Sequence, residues 1–196
     1  MLKKWSDIIF NHKISPRERM FRVAASICMV ALLIILPMGR NLINLGILAI
    51  SLIGMTLIVK VSIRKECIDA GATAIALLLL LLFPISFFSA GGFYSGMPEW
   101  FVLCFVYISI TLEGSRKRFF FLLCMAETFC CYYVAFYFPE YVAQNTAGRS
   151  FFDSAFSVVL VGLLISILMS LLSRLYEEEN ELAIQQKKEI EELNKA

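Results

Sequence analysis

Apolar residues in this chain run in long unbroken blocks, without the alternation of a half-buried strand or the one-sided spacing of a surface helix. The blocks are Phe21 to Pro37, Leu42 to Val59, Ala70 to Phe88, Pro98 to Leu112, Phe119 to Phe138 and Phe151 to Leu172. A run of roughly 20 apolar residues spans the hydrocarbon of a bilayer as a helix, so each block is read as a membrane span, Pro98 to Leu112 being the shortest. Composition agrees: 59% of residues are hydrophobic and 17% charged, against about a quarter charged in an ordinary soluble domain. The first block is expected to stay as a membrane span and reads poorly as a secretory leader, because a long charged segment precedes it and Leu36-Pro37-Met38-Gly39 offers no convincing small-residue cleavage site. The expected fold is all-α, a polytopic membrane bundle of about six transmembrane helices with a C-terminal cytoplasmic coiled-coil helix. The expected division is a cytoplasmic or interfacial segment over residues 1–20, the transmembrane domain over 21–172 and the cytoplasmic coiled-coil helix over 173–196.

The net charge of +2 matters less than where the charges lie. Lys3, Lys4, Lys13, Arg17, Arg19 and Arg22 precede or open the first span; Lys60, Arg64 and Lys65 follow the second; Arg116, Lys117 and Arg118 follow the fourth. The alternate connections carry only Arg40 and Arg149. Basic residues concentrate on the cytoplasmic side, so both termini are expected in the cytoplasm and the protein in the cell (inner or cytoplasmic) membrane. Leu2, Trp5, Ile8 and Ile9 share one helical face beside Lys3 and Lys4, the pattern of a helix lying on an anionic leaflet, or else of a frayed tail. Ser15-Pro16-Arg17-Glu18 reads as a helix start, with Ser15 as cap, Pro16 at the first helical position and Glu18 completing a capping box.

After Leu172 the composition turns to Glu, Lys, Gln and Leu without Gly or Pro, so the sixth span is expected to continue as one helix. Leu175, Glu179, Leu182, Gln186, Ile190 and Leu193 trace a heptad stripe with a four-residue stutter, the seam of a marginal coiled coil and hence of a homodimer. The stripe stops without a cap at Leu193-Asn194-Lys195-Ala196, as if meant to continue.

Catalytic chemistry is absent. There is no nucleotide loop or phosphoacceptor box, and the one histidine, His12, lacks the neighbours of a phosphoacceptor. No cofactor, metal or nucleic-acid partner is expected. Cys28, Cys67, Cys104, Cys124, Cys130 and Cys131 form no C-x-x-C pair and read as small packing residues. Glu127 falls mid-span, where a carboxyl is costly and turns toward the bundle interior or a wet cavity; Cys124 and Cys131 share its face at i−3 and i+4. It is a candidate signal contact, or a protonated side chain bonding a neighbouring helix. Phe93, Tyr94, Trp100 and Phe101 crowd one outer loop and Tyr132, Tyr133, Tyr137 and Tyr141 another, as an interfacial belt or as the wall of a small-molecule pocket. Gly162, Ser166 and Ser170 suit close helix packing.

The terminal run Glu189-Ile190-Glu191-Glu192-Leu193-Asn194-Lys195-Ala196 is similar to the linker before the phosphoacceptor helix of bacterial sensor histidine kinases. Gly91-Gly92-Phe93-Tyr94-Ser95-Gly96-Met97-Pro98-Glu99-Trp100-Phe101 resembles an outer loop of the multi-span input regions of such kinases from clostridial-type bacteria, and Leu112-Glu113-Gly114 with Arg116-Lys117-Arg118 resembles the turn after their fourth span. Similar regions precede diguanylate cyclase and phosphohydrolase modules. The resemblance implies the membrane input region of a two-component-type signalling protein, truncated before its phosphoacceptor helix. It would be dimeric through the sixth span and tail, and would act on an output domain or response regulator. Glu99 departs from the resemblance, which leads one to expect an apolar residue there, and so bears on ligand preference. Two other readings are the small six-span substrate-binding component of a vitamin or small-molecule uptake transporter and a membrane scaffold.

Overall fold

The computed structural model describes residues 15–38, 42–144 and 146–193. The N-terminal amphipathic segment, His12, Arg40 and Asn145 lie outside them. The described residues form α1 (Pro16–Ile35), α2 (Leu42–Arg64), α3 (Ile68–Ala90), α4 (Met97–Thr111), α5 (Gly114–Tyr137) and α6 (Ala147–Leu193), with short 3-10 turns at Leu36–Met38, Gly92–Tyr94 and Pro139–Tyr141. Each helix coincides with one of the apolar blocks: α1 stops two residues short of Pro37, α2 to α5 agree with theirs to within five residues at each end, and α6 runs 21 residues past Leu172. Four of them, α2, α3, α5 and α6, are long and apolar enough to cross a membrane. The other two fall short for different reasons. Helix α1 carries Glu18, Arg19 and Arg22 in its first two turns, and α4, at 15 residues, is only about 22 Å long.

The helices start and stop where local chemistry dictates. Ser15 caps α1 by accepting the Glu18 N–H at 3.2 Å, with Pro16 at the first turn. The reciprocal half of the expected capping box is not made, because the Glu18 carboxylate pairs with Arg22 one turn on. Helix α3 runs through Pro84 and ends at Gly91, whose φ of 116° only a residue without a Cβ adopts without strain. Helix α6 is one uninterrupted helix of 47 residues, about 70 Å long.

Two helices make the centre. Helix α1 buries Phe21, Val23, Ala24, Ala25, Ile27, Cys28 and Ala31, and α4 buries Phe101, Leu103, Cys104, Tyr107 and Ile108. Helix α4 packs on α1, α3, α5 and α6, and α1 packs on α2, α3, α4 and α6. The outer helices are inside out by soluble standards: only 22% of the apolar windows of α2, α5 and α6 is buried. Their outward faces carry Leu42, Ile50, Leu57, Leu122, Phe129, Val159 and Leu163, a surface suited to lipid tails and unsuited to water.

The bundle has two unlike ends. At one, Arg17 reaches Asp69 at 2.8 Å and Glu113 at 3.4 Å while Arg116 reaches Asp69 at 2.9 Å, joining α1, the start of α3 and the α4–α5 turn. These pairs are half exposed, each worth up to about 1 kcal/mol. At the opposite end lie the aromatic loops, packed on a second cluster of Phe87, Phe101, Cys131 and Ala135. Helix α6 spans both ends and projects past the charged one.

Candidate functional site

The aromatic end is built around the start of α4. Gly96 has no side chain with which to cap that helix, and the cap comes from elsewhere. Asp153 Oδ2 on α6 accepts the Gly96 N–H at 3.2 Å, and Ser95 Oγ accepts the Met97 N–H at 3.3 Å. Ser154 donates to the Ser95 carbonyl at 3.0 Å, and Trp100 Nε1 donates to Ser157 Oγ at 3.3 Å. The first turns of α6 are thus bonded to the loop and to α4. A Cβ on Gly96 would coincide with the Ser157 hydroxyl, so glycine is required for this approach. Gly96→Ala should cost about 1–3 kcal/mol, measurable as a lower melting temperature of the detergent-solubilised protein.

Beside this junction lies a cavity of about 760 Å³ lined by Phe93, Tyr94, Ala135, Phe136, Pro139, Val142, Ala143, Gln144, Ala147 and Ser150. Its volume is in the range of small-ligand sites, about 300–1,000 Å³, which are mostly apolar with a few polar groups. Behind it, a second cavity of about 680 Å³ is bounded by Pro84, Phe88, Val134, Glu140 and Tyr141, and shares Val142 and Ala143 with the first. The strand of chain between the two cavities is pinned by the Ala143 N–H donating to the Phe88 carbonyl at 2.9 Å.

The sequence-derived candidates divide among several places. Tyr94 lines the larger cavity. Trp100 points the other way, to Ser157 and to a small apolar void shared with Cys28 and Cys104. Tyr133 and Tyr137 pack ring against ring in a tilted pair, 4.6 Å between centroids, on the exposed face of α5 and do not line the cavity. Glu99 lies within electrostatic reach of Asp153 and Tyr132, and its Oε2 is enclosed without a hydrogen-bond partner.

Glu127 lies on the face shared with Cys124 and Cys131, and both thiols are buried. Its Oε1 is enclosed without a hydrogen-bond partner. Neighbouring Thr128 spends its hydroxyl on the Cys124 carbonyl at 2.8 Å. Cys104 of α4 and Cys124 are buried in the same core cluster. Among the described residues no three His, Cys, Asp or Glu side chains are grouped so as to hold a metal ion. The arrangement can therefore receive a hydrogen-bond donor at Glu127.

In the stripe of the tail, Leu175 is buried in the core of its own bundle while Leu182, Gln186 and Ile190 are exposed. The Glu179 and Leu193 side chains lie outside the described set.

Sequence reasoning missed Asp153, Ser154 and Ser157, although Asp153 and Ser157 stand one turn apart in an apolar block, the same signal that singled out Glu127. It also missed the pairing of Arg19 with Glu178, which joins residues 159 positions apart. No family model matches the chain, and neither does any curated protein or solved structure.

Proposed function

We propose that the chain is the membrane sensor region of a bacterial two-component-type signalling protein. It has six spans, both termini in the cytoplasm, and a C-terminal helix that hands the signal to an output module. The observation that carries this reading is α6. One helix bonds the aromatic loops through Asp153, Ser154 and Ser157 at its start, lines the 760 Å³ cavity with Ala147 and Ser150, and runs unbroken to Leu193. A ligand that moves the loop against Asp153 would move the top of that helix. Rigid helical continuity carries such a shift or rotation to the far end, where the stripe Leu182, Gln186 and Ile190 is available for pairing with a second copy. The ligand class suited to the cavity is a small amphipathic molecule, apolar against Phe93 and Phe136 and bonded by Gln144, Ser150 or Tyr94. The resemblance of the outer loop and of the terminal run to kinase input regions supports the same reading.

Fusing residues 1–196 to a histidine-kinase catalytic module tests it: autophosphorylation should depend on the cavity, and Ser150→Trp, which fills it, should hold output at one level. Output indifferent to the cavity and to the membrane domain would refute it.

Topology has its own test. With a membrane-impermeant maleimide on intact cells, Tyr94→Cys should label and Ser115→Cys should label only after permeabilisation. Tyr94 is the position to use because it is exposed whereas neighbouring Ser95 is buried. Labelling of both from one side would exclude six spans with both ends inside.

A further inference from the structure

Arg19 is 3% exposed, and it pairs at 3.3 Å with Glu178, a residue of the tail beyond the sixth apolar block. A charged group is seldom so enclosed unless paired, and here the pair ties the second turn of α1 to the tail. Leu175, one turn before Glu178, is buried in the main core at 5% exposure. The root of the tail is therefore held to the bundle by the burial of Leu175 and to α1 by an ion pair, on one helical face.

That face is also the start of the heptad stripe. Residues 164, 168, 175, 182 and 186 fall within about 20° of one line along a helix of 3.6 residues per turn. The first three are Leu164, Leu168 and Leu175, all buried within the chain, whereas Leu182 and Gln186 are exposed. The face that packs on the bundle within the apolar block is thus the face that would pair with a second tail below it. Leu175 cannot serve both at once.

We infer that the Arg19–Glu178 clasp is a latch competing with dimer pairing of the tail: closed, it holds Leu175 and Glu178 on α1 and confines the seam to Leu182 onward; open, it frees Leu175 to extend the seam upward. A cavity of about 410 Å³ beside the clasp, walled by Met20, Met169, Leu172 and Tyr176, leaves room for the root of the tail to move. Because Arg17 binds Asp69 and Glu113 from the same end of α1, movement of α3 or of the α4–α5 turn reaches the latch through α1. The signal thus has a lateral route into the tail besides the axis of α6. This inference rests on the sensor reading and specifies how that sensor is regulated.

The test uses the full chain in nanodiscs or native membranes, with two readouts that do not involve a kinase. The first is photo-cross-linking between copies from p-benzoylphenylalanine at position 182. The second is the distance between spin labels on non-natural residues at positions 117 and 187 of one chain. Glu178→Gln keeps the side-chain shape, removes the charge and leaves α1 intact. It should raise the cross-linked dimer severalfold and shift or broaden the intrachain distance. The swap Arg19→Glu with Glu178→Arg should return both toward wild type, with size-exclusion elution confirming that each variant is folded. An unchanged intrachain distance in folded Glu178→Gln overturns the latch. A shifted distance without cross-linked dimer in any variant overturns the competition and, separately, the homodimer in the proposed function. Loss of cross-linking in Glu178→Gln also overturns the latch, because it would make the clasp a promoter of pairing.

Discussion

Insertion of two glycines after Ser173 is expected to abolish signal-dependent output from a fusion of residues 1–196 to a kinase module, while leaving the bundle assembled. The insertion acts in two ways that a control separates. Each glycine weakens the helix by about 1 kcal/mol relative to alanine, giving a soft joint where rotation is dissipated. Two added residues also turn everything below by about 200°, which carries Leu175 and Glu178 off α1. Two alanines at the same place impose the rotation without the soft joint. The glycine variant should give an output that ignores the signal; the alanine variant should lock at a fixed level, high or low. Thermal stability should fall only modestly in both, because the core of α1 and α4 lies above the insertion. Signal dependence that survives the glycines would remove the continuous-helix mechanism and leave the tail a passive extension.

Glu127 should show the opposite relation between stability and response. Its Oε1 is enclosed and has no hydrogen-bond partner, and an unsatisfied buried polar atom costs about 1–3 kcal/mol. Glu127→Leu removes that atom and fills the same space beside Cys124 and Cys131, so it should raise the melting temperature, by up to that amount in free energy. Glu127→Gln keeps the shape but removes the acid, and should stabilise less. If the carboxyl receives the signal, both variants lose the response of the fused kinase even though the fold is firmer, as expected where a site is kept at the expense of stability. Destabilisation by leucine with an intact response would mean that Glu127 serves packing alone. The experiment reads melting of the purified protein alongside autophosphorylation of the fusion.

Much of the architecture was legible because a bilayer-sized apolar block admits few structures other than a helix. The boundaries at Leu42, Pro98 and Phe138 fall within a residue of a helix end in the structure, since backbone groups in hydrocarbon must be satisfied within the segment. The unbroken α6 was legible for a complementary reason: no Gly or Pro interrupts residues 173–193, and the residues there favour helix whatever they touch. Ser15 as cap followed from the same local logic, but the partner of Glu18 did not, because Arg22 outbid the backbone for its carboxylate.

The site was legible by residue type and much less by placement. An acid in an apolar block is conspicuous, so Glu127 stood out, and Asp153 would have done so with equal attention to the ends of the blocks. Aromatic residues carry no such directional signal. Tyr94, Trp100, Tyr133 and Tyr137 looked alike along the chain, and only the packing of the loop put Tyr94 on a cavity, while the rotation of α4 and α5 about their axes put Trp100 inside and the other two outside. Helix rotation is set by the summed packing of faces that are apolar all round, a quantity with almost no periodic trace in a membrane helix.

By itself the sequence determined the helical class, the apolar blocks, the continuity of the last helix and the bias of charge toward one set of connections, all of which depend on local composition and on the thickness and dielectric of a bilayer. Tertiary structure alone decided that Asp153 caps α4 across the bundle and that Leu175 is buried in the core of its own bundle. It alone also decided that Arg19 meets Glu178. Those outcomes join residues far apart in the chain, and they arise from which faces come into contact once the helices pack, which no local pattern encodes.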